Sequence, residues 1–344
     1  MITHPPEAPD PAPGQGAAVW RLGLGGAPLG NLFEAMDDAQ AGAVLAAALA
    51  DGCRLFDTAP HYGNGLSEQR MGAVLRKLPR ASYRLSSKVG RILEPEPDAP
   101  RDQHGYVGVL PYRQRWDYSA EGVRRSLRDS LLRLGLERLD TVYIHDCDAK
   151  THEVDYPRVL HQVVQEALPA LRSLQADGVV GSIGLGVNDT GVCLDVLGQA
   201  DLDCVLLAGR YSLLDHSALS QLLPLCQRRG VQVTLGGVFN SGILATGVRA
   251  GGAVRFDYAA APGAWVEKTA AIETLCDRMQ VPLRAAALQF VLAHPAVGSL
   301  LIGAHSPGQW RDAVSQVQQP IPAAFWQTLR AASLIPPDAP VPHD

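Results

Sequence analysis

One recurrence constrains this chain more than anything else. Eight times a short apolar run rich in β-forming residues appears, and segments of helical period lie between the runs, the pattern of βα units in a parallel sheet. The predicted strands are 21–25, 53–57, 84–89, 141–145, 182–187, 204–208, 232–236 and 299–303. The predicted helices are 39–50, 67–77, 120–134, 156–175, 190–197, 219–228, 264–279 and 283–293. Several strands show no polar alternation, as expected when helices cover one face and packed side chains fill the other. Eight units predict an α/β fold closed as a (β/α)8 TIM barrel. An open dinucleotide-binding sheet would need GxGxxG after a strand. Gly23–Leu24–Gly25 is followed by Pro28, and Gly184–Leu185–Gly186 by Asp189, where the third glycine belongs.

The 344 residues, 47% of them apolar, suit one such domain. We expect a single catalytic barrel over 19–334, a flexible Pro- and Ala-rich tail over 1–18 and a loose tail over 335–344. Two long irregular loops, 90–118 and 239–263, are expected at the C-terminal face, where barrel active sites are built. Tyr106, Tyr112 and Trp116 in the first would suit a substrate wall.

The net charge of −5, with no basic run, argues against nucleic-acid or anionic-membrane partners and leaves a small molecule as the expected one. The six cysteines form no CxxC pair, so they read as reduced, buried thiols rather than a disulfide framework or a metal site. The N-terminus has neither the charged nor the apolar region of a secretory signal, and no run nears the ~18 apolar residues of a membrane helix. A soluble, cytoplasmic protein is expected.

Four chemically capable residues fall at the ends of strands two to four: Asp57 and Tyr62 in GCRLFDTAPHYGNGLSE, Lys88 in RLSSKVG and His145 in TVYIHD. A buried charge alone is expensive, so Asp57 and Lys88 are expected to pair where the strand ends converge. A phenol with an ordinary pKa of ~10 is a poor base at neutral pH, and a neighbouring ammonium favours its phenolate. Lys88 is therefore expected to lower the Tyr62 pKa, Asp57 to orient Lys88, and His145 to hold the substrate oxygen.

The DTAPHYG segment, with the Lys of SSKVG and the His of YIHD, resembles the catalytic tetrad of the aldo-keto reductases, and the likeness runs from about Arg21 to about Leu329. It implies a (β/α)8 barrel that binds a nicotinamide cofactor without a Rossmann domain. It also implies cofactor contacts at Asn188, Tyr211 (stacked on the nicotinamide), Gly236, Gly303, His305, Ser306 and Gln309. Many relatives carry Ser-Asn after the fifth strand and Gln three residues before the stacking Tyr, where this chain has Gly186–Val187 and Ala208. A 2′-phosphate needs charge-assisted partners, and Gly303, His305 and Gln309 offer no cationic clamp beyond Arg311, which favours NAD over NADP. Within the family, LLAGRYSLLD and TLGGVFNSGIL resemble enzymes that oxidise the hemiacetal carbon of L-fucose, D-arabinose or L-galactose-type aldoses to lactones, and next to these, enzymes oxidising pyridoxal. NADPH-dependent carbonyl reduction and a non-catalytic redox-sensing role are the further alternatives.

Overall fold

The computed structural model describes residues 19–249, 251 and 254–342; the expected tail over 1–18 lies outside the described residues. Eight parallel strands close a barrel: β1 (Leu22–Gly25), β2 (Leu55–Asp57), β3 (Arg84–Val89), β4 (Leu139–His145), β5 (Val180–Val187), β6 (Cys204–Ala208), β7 (Gln232–Gly236) and β8 (Val297–Gly303). Each pairs with its neighbours in the chain, and β8 closes on β1 with Gly25 opposite Gly303. Leu55, Tyr143, Leu206 and Leu301 pack together inside the barrel. They come from β2, β4, β6 and β8, which is how alternate strands build one filled layer of such a core. The barrel is thus floored with side chains beneath its C-terminal mouth.

The helices begin and end where local chemistry dictates. Asp37 and Gln40 form a reciprocal capping box at the start of Asp38–Ala50, Ser119 caps Ala120–Leu134, and Gly135 ends that helix at a left-handed φ of 66°. The predicted helix 156–175 is interrupted. It runs as Tyr156–Gln162, a π-helical turn Val163–Ala167, and Leu168–Ala176. Pro169 cannot donate its missing N–H to the preceding turn, and the widened turn absorbs that gap. The expected helices 264–279 and 283–293 both precede β8, as Gly263–Met279 and Leu283–Leu292. The helix that follows β8 is Pro307–Gln316, which the apolar pattern did not single out.

The two long connections have more structure than expected. The first folds as an antiparallel ribbon, Arg91–Pro95 against Tyr112–Trp116, with Arg91 opposite Trp116. The second holds a helical turn, Ile243–Thr246, and a small ribbon, Arg255–Phe256 against Ala259–Ala260. In both, backbone groups that an irregular loop would leave to water are paired across the ribbon. The described part of the expected loose tail, 335–342, is packed instead: Ile335 and Ala339 are buried, and Arg330 donates to the Ala339 carbonyl at 2.6 Å. Among the described residues no helix is long and apolar enough to cross a membrane. All six cysteines are free and buried.

Candidate active site

Asp57 closes β2 and Lys88 lies near the end of β3, each 2% exposed. Register sets Asp57 opposite Ser86, so Lys88, two residues further on, reaches over the end of β2. Its Nζ donates to Asp57 Oδ2 at 2.6 Å and to the Thr58 carbonyl at 2.9 Å, while the Ser86 hydroxyl donates to Asp57 Oδ1 at 2.7 Å. Burial pushes the Asp57 carboxyl up, and the Lys88 ammonium and Ser86 hydroxyl pull it back.

Tyr62 stands in the loop between β2 and the helix Leu66–Leu75, its backbone pressed on Gly30, where a Cβ would come 2.5 Å from the Tyr62 carbonyl carbon. Lys88 Nζ lies 4.5 Å from the centre of the Tyr62 ring. The expected lowering of the Tyr62 pKa is not what this geometry produces. Burial, then the Asp57 carboxylate, push the phenol well above its usual range, and Arg91 opposes only in part. Burial outweighs every nearby charge, and the Lys88 ammonium, paired with Asp57, meets the face of the ring.

His145 ends β4, 6% exposed, its ring edge-on to Tyr62 with centroids 6.2 Å apart. Its Nε2 lies 3.4 Å from Asp146 Oδ2, and its buried Nδ1 has no partner. Burial, then Arg91 and Lys88, hold the imidazole well below the usual histidine range, so it is neutral near pH 7. A neutral imidazole beside a protonated phenol can together hold an oxygen and exchange a proton with it.

Other expected residues divide. Tyr106 joins the site, 5% exposed, its ring stacked on Tyr62 at 6.0 Å and 25°. Tyr112 does not: it pairs with Pro95 at the far end of the ribbon. Trp116 meets the site through Arg91, whose guanidinium lies 3.6 Å over its ring. Tyr211 is fully buried, stacked on Phe290 at 5.4 Å and edge-on to His294, so its faces are already covered and the expected stacking on a nicotinamide is corrected. Asn188 does stand at the mouth after β5, its amide 3.4 Å from the Tyr258 hydroxyl. Gly236 ends β7 with nothing nearer than 3.7 Å to where a Cβ would be, whereas Gly303 ends β8 against Pro28, 2.9 Å from such a Cβ. Ser306 and Gln309 are used locally: Ser306 Oγ accepts from Gln309 N at 3.2 Å, and Gln309 Oε1 accepts from His305 N at 2.8 Å, capping Pro307–Gln316. His305 Nε2 lies 3.1 Å from the Leu32 carbonyl. Arg311 faces Asp51 at 3.6 Å.

Sequence reasoning missed His61, although it adjoins Tyr62 within the segment quoted above. Its Nδ1 is 2.9 Å from Gln114 Oε1, and its ring contacts Tyr106 at 5.2 Å, His104 at 5.6 Å and His145 at 5.8 Å. Arg91 and Asp146, an ion pair at 2.6 Å, were missed too, and so was Tyr258. The residues present fit a nicotinamide cofactor. Ala208 and Gly236 end β6 and β7 with little or no side chain, nothing lying nearer than 3.7 Å to a Cβ on Gly236, and Asn188 follows the end of β5 at the same mouth. The helix Pro307–Gln316 starts at the same face, and a helix N-terminus favours an anionic group.

Comparison with known proteins bears on the same site. The description "Aldo/keto reductase family" matches residues 21–333. A pyridoxal 4-dehydrogenase of Microbacterium luteolum is 44% identical over 331 residues, covering 93% of this chain and 96% of its own. A D-threo-aldose 1-dehydrogenase of a Pseudomonas species is 38% identical, again covering 93% and 96%. Among solved structures, the glycerol dehydrogenase of Gluconobacter oxydans superposes with a TM-score of 0.69 at 21% identity, covering 94% of both chains.

Proposed function

The chain belongs to the aldo/keto reductase family, and from that premise we propose that it is an NAD-dependent dehydrogenase that oxidises a cyclic hemiacetal to a lactone, with pyridoxal as its preferred substrate. The family's oxidoreductase chemistry depends on NAD(P)H, which exchanges a hydride with the substrate carbon when bound. The chain's own residues do the rest. His145 and Tyr62 hold the substrate oxygen, the Tyr62 Oη exchanges a proton with it, and the Asp57–Lys88 pair keeps the ring of Tyr62 fixed. Asn188, Gly236 and the cap of Pro307–Gln316 would hold the cofactor.

The observation that carries the substrate reading is the aromatic wall. Tyr106 stacked on Tyr62, with the His61 ring edge-on to it and His104 beyond, surrounds the Tyr62 ring with aromatic groups, a setting that suits a pyridine ring at its edge. The sequence pattern alone put an aldose ahead of pyridoxal. The wall and the 44% identical relative reverse that order. An aldose 1-dehydrogenase is the second reading, favoured by the 38% identical relative. The polar groups at the mouth, among them the Asn188 amide and the Tyr258 hydroxyl, would serve sugar hydroxyls. NAD remains favoured because no cation stands at 303, 305 or 309 and Arg311 faces Asp51. The buried free thiols agree with a reducing, cytoplasmic setting.

The test is NADH formation at 340 nm with pyridoxal, L-fucose, D-arabinose and L-galactose, each with NAD and NADP. The expected result is a higher kcat/KM for pyridoxal than for any aldose, and for NAD than for NADP. Turnover of an aldose alone would establish the second reading, and turnover of none would remove hemiacetal oxidation. Tyr106→Leu should raise the KM for pyridoxal about 3- to 10-fold, the worth of an aromatic pair, with a smaller change for any aldose. An equal change for both would show that Tyr106 does not face the substrate.

A further inference from the structure

Arg91 has no part in the proton exchange described above, yet its surroundings tie it to that chemistry. Gly90, at a left-handed φ of 102°, turns the chain from β3 into the ribbon, and a Cβ there would come 2.4 Å from the Tyr118 ring. That turn delivers Arg91, 9% exposed, to the mouth. Its guanidinium lies over the Trp116 ring, and its two terminal nitrogens diverge, one donating to Gln114 Oε1 at 2.8 Å and the other to Asp146 Oδ2 at 2.6 Å. Each acceptor also meets one histidine: Gln114 Oε1 is 2.9 Å from His61 Nδ1, and Asp146 Oδ2 is 3.4 Å from His145 Nε2. Asp146 itself is held at a left-handed φ of 46°, its N–H donating to the Gly186 carbonyl at 3.0 Å. A non-glycine residue in that region is strained, and such strain collects at working sites.

We infer that Arg91 is a positioning residue for the reaction, which through Asp146 and Gln114 fixes the rings of His145 and His61 beside Tyr62. A guanidinium fork suits this role because it is planar, always charged and able to stack while both arms bond. Its charge has a second effect. After burial, Arg91 is the largest influence holding both histidines well below their usual range. The other groups bearing on His145 are Lys88 from β3, with Asp57 behind it from β2; His61 and Tyr62 from the loop after β2; and its neighbour Asp146. Tyr118 holds the His145 carbonyl at 2.7 Å and joins it to His152. Lys88 is paired with Asp57, so Arg91 is the cation whose removal would change the ring's protonation most.

The activity arm of the test rests on the hemiacetal oxidation proposed above; a second arm does not need it. Imidazole signals of full-length protein are titrated by NMR, with His145 assigned from its disappearance in His145→Gln. In the wild type His145 should stay neutral well below the ordinary histidine range of ~6.5, and in Arg91→Met its titration should move back toward that range. On any substrate turned over, Arg91→Met should lower kcat by roughly 10-fold or more, as lost positioning does, and add an acid limb to the kcat/KM profile. Arg91→Lys, which restores the charge without the fork, should abolish that limb while leaving kcat low. The inference is overturned if His145 titrates normally in the wild type, or if folded Arg91→Met changes neither the titration nor the pH profile. Should Arg91→Met not fold, Asp146→Asn serves instead. It should lower kcat about 10-fold without an acid limb, and an unchanged kcat would overturn the positioning role.

Discussion

Tyr62→Phe is expected to cut turnover by at least ~100-fold, the usual worth of a positioned acid or base, while NADH binding and thermal stability stay close to wild type. The geometry isolates the hydroxyl. A phenylalanine ring keeps the stacking on Tyr106 at 6.0 Å, the edge contact with His145 and the approach of the Lys88 ammonium to the ring face, so what is lost is the Oη and its proton. The pH profile gives a second readout. Burial and the Asp57 carboxylate push the phenol well above its ordinary range, so the wild-type Tyr62 carries its proton through neutral pH. Oxidation, which must move a proton off the substrate hydroxyl, should therefore quicken as pH rises into the alkaline range, and reduction should slow. That alkaline rise should vanish in the Phe variant. Cofactor titration by fluorescence quenching with steady-state rates from pH 6 to pH 10.5 checks both, and a Phe variant retaining near-wild-type turnover would take Tyr62 out of the chemistry.

The barrel was legible because its signal is repeated: eight apolar runs separated by helical segments leave few topologies open. The Asp57–Lys88 pair was legible for a related reason, since two opposite charges at adjacent ends of apolar strands must find each other when buried. What the sequence did not carry were contacts made across long separations. Arg91 reads as an ordinary residue after a strand until the ribbon brings Gln114 and Trp116 across from it. His61 reads as a loop residue until Gln114 and Tyr106 close around it. Tyr211 failed in the opposite way: its position in the motif suggested the mouth, but the helix Leu283–Leu292 supplies Phe290 to cover it. The Tyr62 phenol sits above its ordinary range rather than below it because burial, which the sequence pattern did not register for a loop residue, outweighs the nearby charges, and the Asp57 carboxylate adds to it. Pairwise expectations survive folding when both partners are local in the barrel, and fail when a third group arrives from elsewhere.

Lys88→Met tests that lesson with the largest expected effect on stability. Removing the ammonium leaves Asp57, 2% exposed, with the Ser86 hydroxyl but no counter-charge, and breaking one side of a buried ion pair costs about 3–5 kcal/mol. A marked fall in Tm and in the denaturant midpoint is expected, together with loss of turnover. Asp57→Asn combined with Lys88→Met separates the two effects. With no lone charge left in the barrel mouth, most of the stability should return, because a buried pair replaced on both sides is often nearly neutral. Turnover should not return, because the groups that hold the Tyr62 ring from beneath and shape the field at its hydroxyl are both gone. Calorimetry on the single and double variants, beside their rates, distinguishes the cases. A single variant as stable as the wild type would mean the pair is not buried as the geometry has it. A double variant that regains both stability and rate would reduce Asp57 and Lys88 to structural filling, and leave Tyr62 and His145 to carry the proton exchange alone.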